Sequence, residues 1–128
     1  MRVSYSPGYV ADIPDEHIFP MKKFSGLHAY LTQKGTVSNS AVVQPSMADI
    51  SNLITAHTAR YANAVWTGEL DRKEIRRMGL PWSKSLAVRS RLAVQGTINA
   101  GLMALQDGLA GNLAGGPHHS MPDYGEGF

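Results

Sequence analysis

Hydrophobic positions along this chain change their period several times, and each change marks an element. Val3 and Tyr5 alternate with serines in "VSYS", the two-residue period of a half-buried strand, and Pro7-Gly8 supplies a turn pair that ends it. The stretch "ADIPDEHIFP" has no period and reads as loop. From Pro20 the period lengthens. Met21, Phe24, Leu27 and Leu31 recur at helical spacing, and Lys34-Gly35 supplies a basic last turn and a glycine stop. "AVVQP" is short, β-branched and ended by proline, which predicts a second strand.

Ser46 and Asp49 have the spacing of a capping box, in which hydroxyl and carboxylate each satisfy a free backbone N–H at a helix start. Ile50, Leu53, Ile54 and His57 share the face that follows. A further helical piece carries Tyr61, Val65 and Trp66 and stops at Gly68. Asp71 and Glu74 repeat the start signal ahead of "RKEIRRM", which Gly79 and Pro81 close. The longest element begins near Ser83 and runs to Gly108, with Val94, Ile98, Leu102, Leu105 and Leu109 on one broad apolar stripe. Beside it lie Ala93, Gly96, Ala100 and Ala104. Small side chains at helical spacing let a backbone approach its neighbour closely, so this helix is expected to lie flat on a sheet. "LAGNLAGG" is then a third strand, and the Gly- and Pro-rich tail from Pro117 is loop.

Strands that alternate with helices imply parallel pairing through right-handed crossovers. The expected fold class is therefore α/β, a layered fold with a parallel sheet, rather than a helix bundle. Residues 1–128 read as a single domain, with no internal repeat or linker.

Composition narrows the picture. The 128 residues include 12 Lys and Arg against 10 Asp and Glu, a net charge of +2, which is too small a field to argue by itself for nucleic acid or an anionic membrane. Charged residues make up only 17%, below the usual quarter or so, which points to surface covered by a partner. There is no cysteine, so disulfides and thiolate metal sites are excluded, in keeping with a reducing, cytoplasmic location. The N-terminus has no apolar signal region, and nowhere do about eighteen apolar residues run together.

The chemistry concentrates at the end of the chain. In open α/β sheets the ligand crevice lies beyond the carboxyl ends of the strands, and His118 and His119 fall just past the third strand. Gly115 and Gly116 leave room for a substrate to pass close to backbone, and Pro117 stiffens the approach. Imidazole moves protons near neutral pH, so the pair can serve as a general base and an electrostatic partner. The alternative is a polar, near-terminal loop that happens to hold histidines.

The block "NLAGGPHHSMPDYGEGF" resembles the histone deacetylase family's run of strand, Gly-Gly, one residue, His-His and a loop ending in Gly-Phe. "YSPGYVADIPDEHIFPMKKFSGL", "AHTARYANAVWTGEL" and "RKEIRRMGLPWSKSLAVRS" also look like the bacterial deacetylase and acetoin-utilisation branch, in order and at compatible spacing. The resemblance implies a truncated arginase/deacetylase-like fold, three-layered with a short parallel sheet of about three strands in the order 2-1-3 and helices on both faces, and a zinc-dependent hydrolase that removes acyl groups from lysine or polyamine amines. It gives His118 and His119 the base and acid roles beside a metal-bound water, and it sets Gly116, Gly127 and Phe128 against the acyl-lysine ligand. The family's zinc ligands, an Asp-x-His pair and a further Asp, and its catalytic tyrosine follow the Gly-Phe. No counterpart lies within this chain, so no cofactor is expected here and the protein is expected to be inactive alone. Pro117 and Ser120 also depart from the usual neighbours of the histidine pair.

Other signals compete. Asp15-Glu16-His17 spells Asp-x-His, but it sits in a proline-flanked loop, and no spacing brings further ligands to it; no metal residue is assigned. His28 and His57 are expected on helices as packing or interface residues, and Trp66 and Trp82 as core or contact anchors. "ELDRKEIRRMGLPWSKSLAVRSRLAV" has the outline of a helix-turn-helix with arginines on both helices, though Asp71 and Glu74 dilute its charge and favour a solvated, salt-bridged face. An uncovered edge on the third strand invites pairing with another chain, so a homodimer or higher homo-oligomer is expected. The remaining possibility is a noncatalytic assembly module that kept the fold.

Overall fold

A computed structural model describes residues 1–116 and 119–126. Three short strands, β1 (Arg2–Ser4), β2 (Val42–Val43) and β3 (Ala110–Asn112), form one parallel sheet in the order β2-β1-β3. Val3 lies opposite Val42 on one side and Gly111 on the other. The ladder extends past the strands, with the Tyr5 amide donating to the Val43 carbonyl (3.1 Å) and the Leu113 amide to that of Ser4 (2.9 Å). The helices are α1 (Lys23–Gln33), the single turn α2 (Ile50–Leu53), α3 (Ala59–Thr67), α4 (Arg72–Met78) and α5 (Lys84–Asp107). The expected strand order is the observed one.

Where local signals act without competition, they prevail. Glu74 N–H donates to Asp71 Oδ1 (2.8 Å) and Asp71 N–H to Glu74 Oε2 (2.9 Å), completing the capping box of α4. Ser83 caps α5 through the Leu86 amide, and Gly108 ends it in the left-handed region.

Three expectations fail for tertiary reasons. No capping box forms at Ser46 and Asp49: Asp49 stands at the start of α2 but makes no side-chain cap bond. The preceding segment is held from outside, because the Ala48 amide donates to the Arg91 carbonyl (3.2 Å) while Arg91 Nε donates to the Ala48 carbonyl (2.7 Å). His57 consequently lies in the turn after α2 and not on a helix. In α1 the stripe is buried only at its start, where Met21 and Phe24 enter the core while Leu27 is exposed. Pro20 precedes the helix, closing a turn whose carbonyl accepts from the Lys23 amide.

On α5 the small-residue side lies against the sheet as expected, with Ala93 and Gly96 buried, while the stripe beside it runs from half-buried Val94 and Ile98 to Leu102 and Leu105, exposed at 57% and 86%. Leu86, Ala87, Arg89, Leu92, Ala93, Gly96 and Met103 are the buried positions. Close approach decides the orientation. A Cβ at Gly96 would sit 2.1 Å from the Tyr9 hydroxyl and 2.8 Å from Asn112 Oδ1, so only glycine admits those groups against the helix.

The main core gathers Tyr5, Tyr9, Ala11, Met21, Phe24, Leu86, Leu92, Ala93 and Ala114. A second cluster of Tyr61, Ala64 and Leu70, with Trp82 beside it, ties α3 and α4 to the start of α5.

Candidate functional site

Beyond the carboxyl end of β3 the chain leads on towards His119, and a half-buried polar knot fixes its first turn. Asn112 uses both ends of its amide: Nδ2 donates to the Ala93 carbonyl (3.0 Å) and to Thr97 Oγ1 (3.1 Å), while Oδ1 accepts from the Tyr9 hydroxyl (2.9 Å) and the Ala114 amide (3.1 Å). Ser4 Oγ lies 3.4 Å from the same hydroxyl. Burial raises the Tyr9 pKa, against smaller lowering effects from the Ser4 hydrogen bond and the Arg89 charge, so the phenol is held protonated and able to donate. Arg89 is also buried. It donates from Nε to the Tyr9 carbonyl (2.9 Å) and lies 4.6 Å over the Phe24 ring, and burial lowers its pKa.

Past this knot, Ala114 is buried, Gly115 takes a φ of +64°, and Gly116 is exposed. His119 is half-buried and carries the next segment. Its carbonyl accepts from the Glu126 amide (2.9 Å), Ser120 and Gly125 form an antiparallel bridge, and the Met121 amide donates to the Tyr124 carbonyl (2.8 Å). Residues 119–126 are therefore a closed loop whose stem starts at His119. Of the residues expected at the site, Gly116 and His119 are described, and His118, Gly127 and Phe128 lie outside the described residues, as does Pro117.

Residues distant in sequence hold this loop down. His57 Nδ1–H donates to the Met121 carbonyl (2.9 Å), and the Thr58 amide to that of Pro122 (2.7 Å). Arg77 donates from Nε (3.0 Å) and Nη2 (2.7 Å) to Glu126 Oε1, with its guanidinium 3.2 Å over the Tyr124 ring. Arg60 is held mainly by Glu74. Sequence reasoning missed these anchors because the partners are some 50 to 65 positions apart, beyond any local period; the only hint was an arginine-rich helix and an acid in "DYGEGF".

The N-terminal Asp-x-His is built for packing. Asp15 pairs with Lys22 (2.9 Å). The Phe19 amide donates to His17 Nδ1 (3.1 Å), so Nε2 carries the hydrogen that meets the Gly79 carbonyl (3.1 Å), and both ring nitrogens are engaged. Among the described residues no three Asp, Glu or His side chains come together as ligands of a zinc ion would, so the described residues do not fit that metal. His28 stacks on Tyr5 at 3.9 Å, and Trp82 donates to the Val65 carbonyl (2.7 Å). Trp66 lies beneath Lys84 (3.2 Å) and Arg91 (4.6 Å).

A parallel sheet with a Gly-Gly turn and a histidine loop beyond its central crossover helix defines the class: a deacetylase-type α/β fold. The histone deacetylase domain profile matches residues 17–128, and the chain belongs to that family. It is 46% identical over 126 residues to an uncharacterised protein of Picosynechococcus sp., covering 98% of this chain and 42% of that protein. It is 25% identical over 137 residues to histone deacetylase 2 of Arabidopsis thaliana, covering 100% of this chain and 35% of that one. The crystal structure of the HDA15 HD domain has the same fold, with a TM-score of 0.71 at 15% identity over 92% of this chain and 35% of that one. The chain thus spans less than half the length of the relatives it matches.

Proposed function

We propose that this chain supplies the proton-handling half of a deacetylase-type amide hydrolase acting on acyl-lysine or acyl-polyamine substrates, and that it has no turnover alone. The observation that carries the reading is the loop of residues 119–126, closed on the His119 carbonyl and anchored to α3 and α4. On this proposal His118 and His119 serve as general base and acid, and Gly116, Gly127 and Phe128 border the acyl group. The family's metal, when bound, supplies a Lewis acid that activates water. The described residues provide no ligand set for it.

A zinc-supplemented acetyl-lysine reporter assay tests the reading, with the chain alone and mixed with a segment corresponding to the remaining length of a relative. Turnover in the mixture that disappears in His118→Ala and His119→Ala is expected. No turnover in any mixture that forms a stable complex would sink it.

A second reading is favoured by Leu102 and Leu105 of α5 and Leu109 just beyond it, all exposed, and by β2 and β3 standing at the two edges of the sheet. In it the chain forms a homodimer or higher homo-oligomer and acts as a noncatalytic module. Light scattering behind size exclusion separates the two, since a monomer at micromolar concentration counts against the module. A nucleic-acid role is weakest: Arg89 is buried, and Arg77, Arg91 and Lys84 are engaged within the protein. A cytoplasmic location fits the absence of cysteine. Among the described residues no helix is long and apolar enough to cross a membrane.

A further inference from the structure

The loop that carries His119 has three kinds of fastening. His57 and Thr58 grip its backbone at Met121 and Pro122, close to its tip. Tyr61, buried in the second cluster, brings its hydroxyl against the backbone of Gly125, where an added Cβ would sit 3.0 Å from it. Arg77 reaches the stem, and it does so with side-chain chemistry alone.

We propose that Arg77 is a positioning residue for the histidine loop, a charge latch that acts on His119 through Glu126. Two links connect them. The guanidinium donates twice to Glu126 Oε1, at 3.0 and 2.7 Å, and the Glu126 amide donates to the His119 carbonyl at 2.9 Å. Tyr124, between Glu126 and the turn, is pinned under the same guanidinium at 3.2 Å. One cation therefore restrains two residues on the return strand of the loop, and that strand pairs back onto Ser120.

The setting explains why an arginine is used. A lysine presents one point charge, whereas the planar guanidinium can lie on the Tyr124 ring while its edge donates to the carboxylate. Gly79 ends α4 just beyond Arg77, and the cation sits in the last turn, where the helix dipole favours it. The Arg77 and Glu126 side chains are 42% and 45% exposed. An ion pair so open to solvent adds little to global stability, and salt weakens it. It can still shift a local equilibrium, because a loop opens at far lower cost than the whole fold.

The latch rests on the hydrolase reading for its purpose, not for its existence, and hydrogen exchange measured without substrate keeps the two apart. In Arg77→Ala the amides of Gly125 and Glu126 are expected to exchange about fivefold faster, while amides of α5 and the sheet keep their rates. Glu126→Gln should do the same to a lesser degree. High salt should speed these amides in the unmodified protein and leave them unchanged in Arg77→Ala. The charge swap Arg77→Glu with Glu126→Arg should return the rates towards normal and bring back the His119 ring resonance that each single change displaces. Unchanged exchange in Arg77→Ala, or a swap no better protected than either single variant, overturns the latch. If the latch holds and no mixture turns over an acyl-lysine, the hydrolase reading alone falls.

Discussion

Replacing Gly96 by alanine tests whether close approach, rather than the large apolar stripe, orients α5. In an exposed helix interior the change would be favourable by about 1 kcal/mol, because alanine is the better helix former. Here the new Cβ would stand 2.1 Å from the hydroxyl of Tyr9, a residue with no exposed surface and no room to withdraw. It would also stand 2.8 Å from Asn112 Oδ1, the acceptor of that hydroxyl. Relieving the overlap means shifting α5 off the sheet, at a cost of about 1–3 kcal/mol for overpacking, and loosening the Tyr9–Asn112 hydrogen bond, at about 1 kcal/mol. Set against the propensity gain, the net loss is about 2 kcal/mol. Urea unfolding followed by tryptophan fluorescence should show the midpoint fall by about 1 M with the slope unchanged. Gly101→Ala is the control on the same helix. Nothing lies within 4 Å of its Cβ position, so it should stabilise by about 0.5–1 kcal/mol. Adding Tyr9→Phe to Gly96→Ala removes the atom in the tightest contact, and the two changes together should cost less than their sum. A Gly96→Ala protein as stable as Gly101→Ala would refute the packing argument.

Gly68 ends α3 at a φ of +85° with Trp82 ring carbons 2.8 Å from its Cβ position, so Gly68→Ala should cost about 2–4 kcal/mol in the same assay, from backbone strain and overpacking together. Gly35→Ala meets nothing at a φ of +69° and should lose only the backbone part, about 1 kcal/mol. Burial raises the pKa of Tyr9 and of Tyr61, so the stability their neutral forms contribute is complete below the free tyrosine value of about 10 and is lost as pH rises through the higher folded values. In an alkaline absorbance titration, two of the five tyrosines should ionise late, together with unfolding, and five tyrosines titrating normally in a folded protein would contradict this. The Arg60 hydrogen bond, followed by that from the Asp71 amide, lowers the Glu74 pKa. Its contribution is present above the free glutamate value of about 4.3 and disappears as pH falls through the lowered one; Glu74→Gln should flatten the acid limb of a stability profile.

Some of this protein was legible in sequence because the signal is local. The Asp71–Glu74 box, the Ser83 cap and the Gly68, Gly79 and Gly108 stops all appear where residue chemistry places them, since a cap bonds backbone groups within one turn. The Ser46–Asp49 pair has equally good local chemistry and fails, because Arg91 holds Ala48 through both its amide and its carbonyl. The His119 segment was recognisable from its Gly-Gly and His-His spacing. Its fastening by His57, Thr58 and Arg77 was not, since no periodicity relates α4 to a loop some 50 residues on.

Sequence alone determined the alternation of strand and helix, hence parallel pairing through crossovers, and the family resemblance of its motifs added the order β2-β1-β3 that the sheet has. The small side chains of α5 announced a helix lying close on the sheet; tertiary structure decided what the sheet holds out to meet them. Here that is the buried hydroxyl of Tyr9 and the amide of Asn112, groups that need hydrogen bonds and fit only where a Cβ is missing.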